Sequence, residues 1–455
     1  MVMPMAAMLP ILSLIAGIAL SLTIGFPLAL GIVFAILVTL LSVQRIGYSW
    51  RQQFVFGWEG VKQTKPVLMI LFLVGLLIPL LMMGGTIPAI IYYGLSIVNV
   101  HYLLVLAFLM TSVVSYLLGT SVGTLSTIGL SLMGIAHAAG IPGGMVAGAL
   151  ISGAMVGERF SPISSSRLLV LSNVGLTEAQ DRKTRRPAWL TVGICALLYL
   201  AFDLFRTEGG SGHTIQAYQE LLASHYEISW LLMLPLLVLI ASFSLRVKAV
   251  VALLYGIAAS AILLLLTTSL DAGTFFTSLF TGYELHSGTS LDELVHGGGM
   301  VSILSVLLLI SLAGFLNGIL DKAKLVTPIV DKMMGSTKNS MILVAKAAAL
   351  SLLVVIISCN QTIPILVLGS TLLHRFTQRE GGRELLGKTM LDSTLVMPVL
   401  IPWNGLAMVI SITLGVSTAE TLPFLFFSLL LPIVTIFSSR TFSTEGGILS
   451  NKKAI

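Results

Sequence analysis

The chain has 455 residues, 56% of them hydrophobic and only 10% charged, and its mean hydropathy is +1.01. Water-soluble domains carry about 25% charged residues, so the composition excludes that class and points to a polytopic protein whose solvent is the lipid bilayer. The net charge of +6 then belongs to cytoplasmic loops and not to a nucleic-acid surface.

In chain order, residues 1–43 form two apolar runs without the charged start of a cleavable signal, and read as N-terminal scaffold helices. Residues 44–65 carry Arg45, Arg51, Lys62 and Lys65, which the positive-inside rule places in the cytoplasm. A span at 66–83 follows. Next comes an apolar segment, 102–139, with GTSVGTLSTIG at 119–129 in its middle. The stretch 142–175 contains SPISSS at 161–166. As one helix it measures about 50 Å against a hydrocarbon thickness of about 30 Å, so a break is required. Pro162 supplies it by removing a backbone donor. Residues 44–175 make one unit.

Residues 177–187 hold Arg182, Lys183, Arg185 and Arg186, and residues 244–248 hold Arg246 and Lys248, so both loops are cytoplasmic. Residues 207–228 and 268–299 contain acids such as Glu208, Asp292 and Glu293 but no Lys or Arg, and read as external. Plain spans near 188–206, 229–243 and 249–267 make 176–267 a connecting scaffold. The second unit, 268–415, has a span at 300–320 and a cytoplasmic loop, 321–339, with Lys322, Lys324, Lys332 and Lys338. An apolar segment, 340–374, is interrupted by SCNQTIPILVLG at 358–369; the loop 374–388, with Arg375, Arg379, Arg383 and Lys388, returns to the cytoplasm; and DSTLVMPVLIPWN at 392–404 carries Pro398 and Pro402 and leads to an external turn at 416–420. Residues 416–455 are a C-terminal helix and a cytoplasmic tail bearing Lys452 and Lys453.

Parity of the loop charges demands that GTSVGT and SCNQT enter and leave on the same side, as tips of re-entrant hairpins. The two units then share one element order in opposite orientations, offset by about 235 residues. The fold class is an all-α polytopic membrane protein with inverted repeats, two re-entrant hairpins and two broken transmembrane helices. Both termini are cytoplasmic.

Irregular polar backbone at membrane depth is tolerated only where it is buried in protein or lines a wet cavity. Four such breaks in two matched pairs therefore mark a transport site. Unwound carbonyls and side-chain oxygens suit a small hard cation such as Na⁺. The candidate ligands are Thr120, Ser121, Thr124, Ser161, Ser164, Asn360, Gln361, Thr362, Asp392, Ser393, Thr394 and Asn404. Taken one at a time, such hydroxyls serve helix packing. Asp392 is singled out as the best Na⁺ or proton ligand, because ionisable groups at depth mark ion pathways. Glu158 is a candidate for coupling, or forms a self-compensating pair with Arg159. Arg167 either snorkels to the interface, the preferred reading, or lends positive charge to the site. His137 is a weaker candidate for proton sensing. Cys195 and Cys359 offer neither a disulfide framework nor a metal cluster. No cofactor is expected, and no phosphate loop or hydrolytic constellation argues for an enzyme. A channel would carry a continuous polar stripe instead.

The stretches GGTIPAIIYYGL, GTSVGTLSTIGLSLMGIAHAAGIP, MVAGALISGAMVGERFSPISSS and LDSTLVMPVLIPWN resemble the NhaC family of sodium/proton antiporters. The resemblance runs over about 76–177 and 297–436. It implies Na⁺ efflux coupled to H⁺ entry, or related exchange with organic acids such as malate and lactate. It also implies a scaffold with a moving transport domain, often in a homodimer, in the cell membrane. Three departures stand out. The family's SPLSDTT becomes Ser161 to Ser166 followed by Arg167, Asn360 stands where an acid precedes Gln361, and GDK becomes Gly157, Glu158 and Arg159. Losing carboxylates while gaining Arg167 suits a carboxylate-bearing solute. The leading reading is Na⁺/H⁺ antiport; the alternative is Na⁺- or H⁺-coupled transport of a small organic acid or amino acid.

Overall fold

The computed structural model describes residues 5–24, 26–97, 99–206, 212–245, 247–267, 271–285, 288, 296–325, 333–334, 339–358 and 360–440. Several residues used above, Arg246, Lys332, Lys338, Lys452, Lys453, Glu208, Asp292, Glu293 and Cys359, lie outside them. The chain is helical almost throughout. Its first half comprises α1 (Met5–Ile24), α2 (Leu28–Arg45), α3 (Trp50–Met83), α4 (Thr86–Ile97), α5 (Leu103–Leu118), α6 (Ser121–Thr124), α7 (Leu130–Ala138), α8 (Gly143–Phe160), α9 (Ser165–Val174) and α10 (Glu178–Thr184). Then come α11 (Arg186–Phe205), α12 (Gly212–His225), α13 (Leu234–Ser244), α14 (Ala249–Thr267), α15 (Ala272–Thr281) and α16 (Met300–Lys322). The last are α17 (Ser340–Ser358), α18 (Thr362–Thr377), α19 (Gly382–Asp392), α20 (Gly405–Leu414), α21 (Thr418–Thr421) and α22 (Phe426–Ser438). A two-residue ladder pairs Tyr283 with Gly297 and Glu284 with His296.

Among the described residues, 8 helices are long and apolar enough to cross a membrane, or up to 11 if each bent pair is one span. Trp189, Leu190, Leu197 and Leu204 of α11 and Ile262, Leu265 and Leu266 of α14 present exposed apolar faces, which only lipid solvates cheaply. The chain is a multi-pass membrane protein.

Several segments expected as loops are helical: α10, α12 and α15 lie in the loops at 177–187, 207–228 and 268–299. The charged segment 50–65 is not a loop but the start of α3, opened by a capping box between Ser49 and Gln52 and continuing through Pro66. At 34 residues the helix is about 51 Å long, well beyond the hydrocarbon thickness of about 30 Å.

All four polar stretches interrupt helices. Gly119, at φ 67°, ends α5 in the left-handed conformation, and Thr120 caps the run Ser121–Ala138 that returns from it. At the break between α17 and α18, Asn360 Oδ1 accepts from Thr362 N at 2.6 Å to open α18. The helix α8 stops at Phe160, and Ser164 caps α9 through Arg167 N. After Asp392 the backbone turns, tightens into a 3₁₀ turn at Met397–Leu400, and resumes as α20 with Asn404 as cap. The two arms of that last break are bent by 54°.

Close packing holds these breaks in place. The helices α5 and α8 touch through Gly153 and Gly157, where an added Cβ would meet Thr111 and Ser115 respectively. The hydroxyl of Ser115 also donates to Ala154 O at 2.7 Å. Small residues let membrane helices bring their backbones together, where dispersion and polar contacts replace the missing hydrophobic drive. The pair α3 and α16 does the same through Gly57, Gly60, Gly314 and Gly318.

Candidate functional site

The contact of α5 with α8 brings the break at Gly119 and Thr120 against the end of α8, and Glu158 lies in that corner, only 6% exposed. Its Oε1 accepts from the Ser121 amide at 3.0 Å and from Ser121 Oγ at 2.9 Å. Its Oε2 accepts from Ser164 Oγ at 2.9 Å. The carboxylate thus faces the N-terminal ends of two helical runs, where backbone donors and the peptide dipoles favour negative charge. Among the described residues, no Lys, Arg or His pairs with it.

Glu158 and Arg159 do not compensate each other. Consecutive positions on a helix point about 100° apart, and Arg159 reaches a different set of partners. Its Nε donates to Asp392 Oδ1 at 2.5 Å and its Nη1 to Asp181 Oδ1 at 3.1 Å. Thr435 Oγ1 donates to the other Asp392 oxygen at 2.7 Å. Asp392, which the sequence reading makes the leading Na⁺ ligand, therefore has both oxygens engaged, and its charge is matched by Arg159. The pair ties the first broken helix to the second.

Arg167 neither snorkels nor offers a free charge. It is fully buried, with Nε at 3.1 Å and Nη2 at 2.7 Å from Asp181 Oδ2. Arg185 donates to the same oxygen at 2.6 Å. The reason lies in α10, which a capping box between Thr177 and Gln180 starts, and which lays Asp181 against the first break. Burial opposes ionisation of Asp181, yet Arg159, Arg167 and Arg185 outweigh it and hold the carboxyl below the ordinary carboxylate range.

The remaining candidates fall into separate groups. Ser393 Oγ donates to Ser351 Oγ at 3.3 Å, and Ser351 Oγ lies 2.7 Å from Thr394 Oγ1. Gln361 accepts from Ser166 at 3.2 Å and donates to Leu395 O at 3.0 Å, so the break before α18 touches both the α8–α9 and the α19–α20 breaks. Thr124 Oγ1 donates to Thr120 O at 2.8 Å, and Ser161 Oγ accepts from Ile163 N at 3.3 Å, both within their own turns. Asn360 and Asn404 act as caps, and Asn404 Nδ2 is buried without a hydrogen-bond partner, as is Arg159 Nη2. His137, at the end of α7, lines a crevice of about 230 Å³ with Gly298 and Val416. Among the described residues, no group of three or more His, Cys, Asp or Glu gathers as a metal site.

Sequence reasoning missed Asp181, Thr435 and Lys388. The last is only 2% exposed, and its Nζ donates to Ser438 Oγ at 2.6 Å. The lone signal for Asp181 was an acid set among Arg182, Lys183, Arg185 and Arg186.

The chain is similar to several curated proteins over nearly its whole length. It is 29% identical to the Na⁺/H⁺ antiporter NhaC of Alkalihalophilus pseudofirmus, over 91% of this chain and 95% of that protein. It is 24% identical to the malate-2H⁺/Na⁺-lactate antiporter of Bacillus subtilis, over 91% of each. With the arginine/ornithine antiporter ArcD of Halobacterium salinarum it shares 27% identity over 96% of this chain and 91% of that one. The family model of the Na⁺/H⁺ antiporters matches residues 187–439, more than half of the chain and the part that contains Gln361, Asp392 and Thr435. With these matches and a helical membrane fold interrupted at four polar breaks, the chain belongs to the Na⁺/H⁺ antiporter family.

Proposed function

We propose that the protein is a secondary active Na⁺/H⁺ antiporter working by alternating access, in which Na⁺ and H⁺ compete for the carboxylate of Glu158. The observation that carries this is a buried acid held by hydroxyls and one amide, with no cationic partner among the described residues. An ionised carboxylate is costly at membrane depth, so the site moves only once the charge is neutralised, and either a proton or Na⁺ suffices. The hydroxyls of Ser121 and Ser164, which donate to the carboxylate, rotate to present lone pairs to Na⁺. Exchange follows because each ion must leave before the other binds. Arg167 does not oppose this, since its guanidinium is directed to Asp181 and the Ser161 carbonyl and makes no bond to Glu158.

The architecture that serves this cycle is an inverted repeat of 44–175 and 268–415, joined by the scaffold 176–267 and flanked by 1–43 and 416–455. Supporting it, the turns after α3 and α16 share one pattern. Gly84 N bonds Leu80 O and Gly85 N bonds Met82 O; Ala323 N bonds Ile319 O and Lys324 N bonds Asp321 O. Gly85 and Lys324 both take positive φ, at 71° and 53°. Loop charges set the halves in opposite orientations, with both termini in the cytoplasm.

A second reading is exchange of a small organic acid or amino acid. Its support is the cluster of buried Arg159, Arg167 and Lys388 and half-buried Arg185, which among the described residues gathers around two acids, Asp181 and Asp392, and relatives named for malate, lactate, arginine and ornithine.

Proteoliposomes with an imposed Na⁺ gradient and an internal pH dye test both. Glu158→Gln keeps the shape and is expected to abolish Na⁺ and H⁺ flux in a folded protein. Asp392→Asn is expected to destabilise the protein by about 3–5 kcal/mol, because it leaves Arg159 only Asp181, a carboxylate already shared with Arg167 and Arg185. Wild-type exchange by Glu158→Gln removes that residue from the site. Na⁺ flux that requires a labelled organic acid or amino acid selects the second reading.

A further inference from the structure

Between α3 and α16 runs an apolar groove that the antiport site does not use. One part, about 900 Å³, is lined by Arg51, Phe54, Trp58, Lys62, Leu308 and Phe315 among others. It adjoins a space of about 570 Å³ between Lys65, Met69, Phe72 and Leu304, and both include Leu308 and Ser311. The grease ends in charge. Arg51, Lys62 and Lys65 are exposed on the rim, and none makes an ion pair or hydrogen bond among the described residues. The one acid there, Glu59, is already paired with Lys322 at 2.8 Å.

Aromatic side chains mark the level of the headgroups: Phe54 and Trp58 are 60% and 59% exposed beside these cations, as expected at a membrane interface. From Lys62 to Phe72 the helix rises about 15 Å, which is half of a hydrocarbon core of about 30 Å, the depth of one leaflet. A second protein packed here would have to bury three cations without partners, at a cost a charged headgroup avoids.

We propose that this groove binds an anionic phospholipid, with its phosphate held by Lys62 and Lys65, Arg51 adding positive charge farther out on the same face of α3, and an acyl chain lying between α3 and α16. Zwitterionic lipids bring their own cation toward the three basic groups and are held more weakly. Basic pockets between membrane helices on the cytoplasmic side favour anionic headgroups in this way.

The test is native mass spectrometry of the full chain titrated with phosphatidylglycerol and with phosphatidylcholine of the same acyl chains. Wild type is expected to prefer phosphatidylglycerol. The triple variant Arg51→Gln, Lys62→Gln, Lys65→Gln should lose affinity on the order of 100-fold, each cation contributing a factor of roughly five. Ser311→Trp, which fills the groove without changing charge, should weaken the same binding, while Arg182→Gln with Lys183→Gln should not. Equal binding of the two lipids overturns the proposal, and so does wild-type affinity in the triple variant. Displacement of the lipid by inorganic phosphate would mark a plain anion site and overturn it as well. A triple variant that changes only the oligomeric state would assign the groove to a second copy of the chain.

Discussion

Asp181 is the acceptor for three guanidiniums, so its charge decides whether the region behind the first break stays assembled. Asp181→Asn keeps the shape but leaves Arg167 and Arg185 without their counter-charge and Arg159 with Asp392 alone, and is expected to cost about 3–5 kcal/mol, measured as a drop in midpoint on thermal unfolding in detergent. The pH dependence has a definite sign. Because the folded carboxyl is held below its ordinary range, its contribution is complete above the ordinary Asp value of about 4. It is lost as pH falls through the lower, folded value. Wild type should lose stability in that acid window, and Asp181→Asn should lose correspondingly less. A midpoint unchanged by the substitution would mean the ion pairs contribute nothing. Little of this was legible beforehand. In QDRKTRR nothing separates an acid that organises a buried network from one that sits in solvent. Asp392 could be picked out because it heads an apolar run, but its partner lies 233 residues away.

At the level of elements, the breaks were readable and the packing was not. Gly, Pro and small hydroxyl residues punctuate helices by local rules, which is why the interruptions near 120, 162, 360 and 394 fall where composition puts them. Which helix lies against which depends on side-chain shape, and the close pairing of α5 with α8 emerges only in three dimensions. That pairing sets the distance from Ser121 to Glu158. Gly157→Val would force α5 away, because the position faces Ser115 directly, and is expected to cost at least about 1–3 kcal/mol and to stop transport. Gly193→Ala is the control: nothing lies within 4 Å of that exposed position, so better helix propensity, worth up to about 1 kcal/mol, should leave transport intact and stability equal or higher. Unfolding midpoints and Na⁺ flux of the two variants check both outcomes. Normal transport by Gly157→Val would show that the close approach is dispensable. The start of α3 was misread for a related reason: its charges suit a loop, whereas a single capping box at Ser49 commits them to a helix.

Across the whole molecule, the opposed orientation of the two halves was inferred from loop charges, and accessibility labelling can check it. In a version lacking Cys195 and Cys359, Ala179→Cys and Gln378→Cys should react with impermeant reagents from the cytoplasm only. Ala217→Cys and Ala419→Cys should react only from outside, and labelling of Ala217→Cys from the cytoplasm would refute the topology. The reach of Arg159 bears on the whole chain in another way, through the order in which it is made. Asp181 lies 22 residues further on and Asp392 lies 233 residues further on. At roughly 5–20 residues per second of synthesis, Asp181 follows Arg159 within seconds, whereas Asp392 arrives roughly 10–50 s later. A lone cation in a half-built bundle is costly throughout that wait. Asp181 serves as its escort, so Arg159 has an anionic contact within the early half before the late half is translated and supplies the second carboxylate.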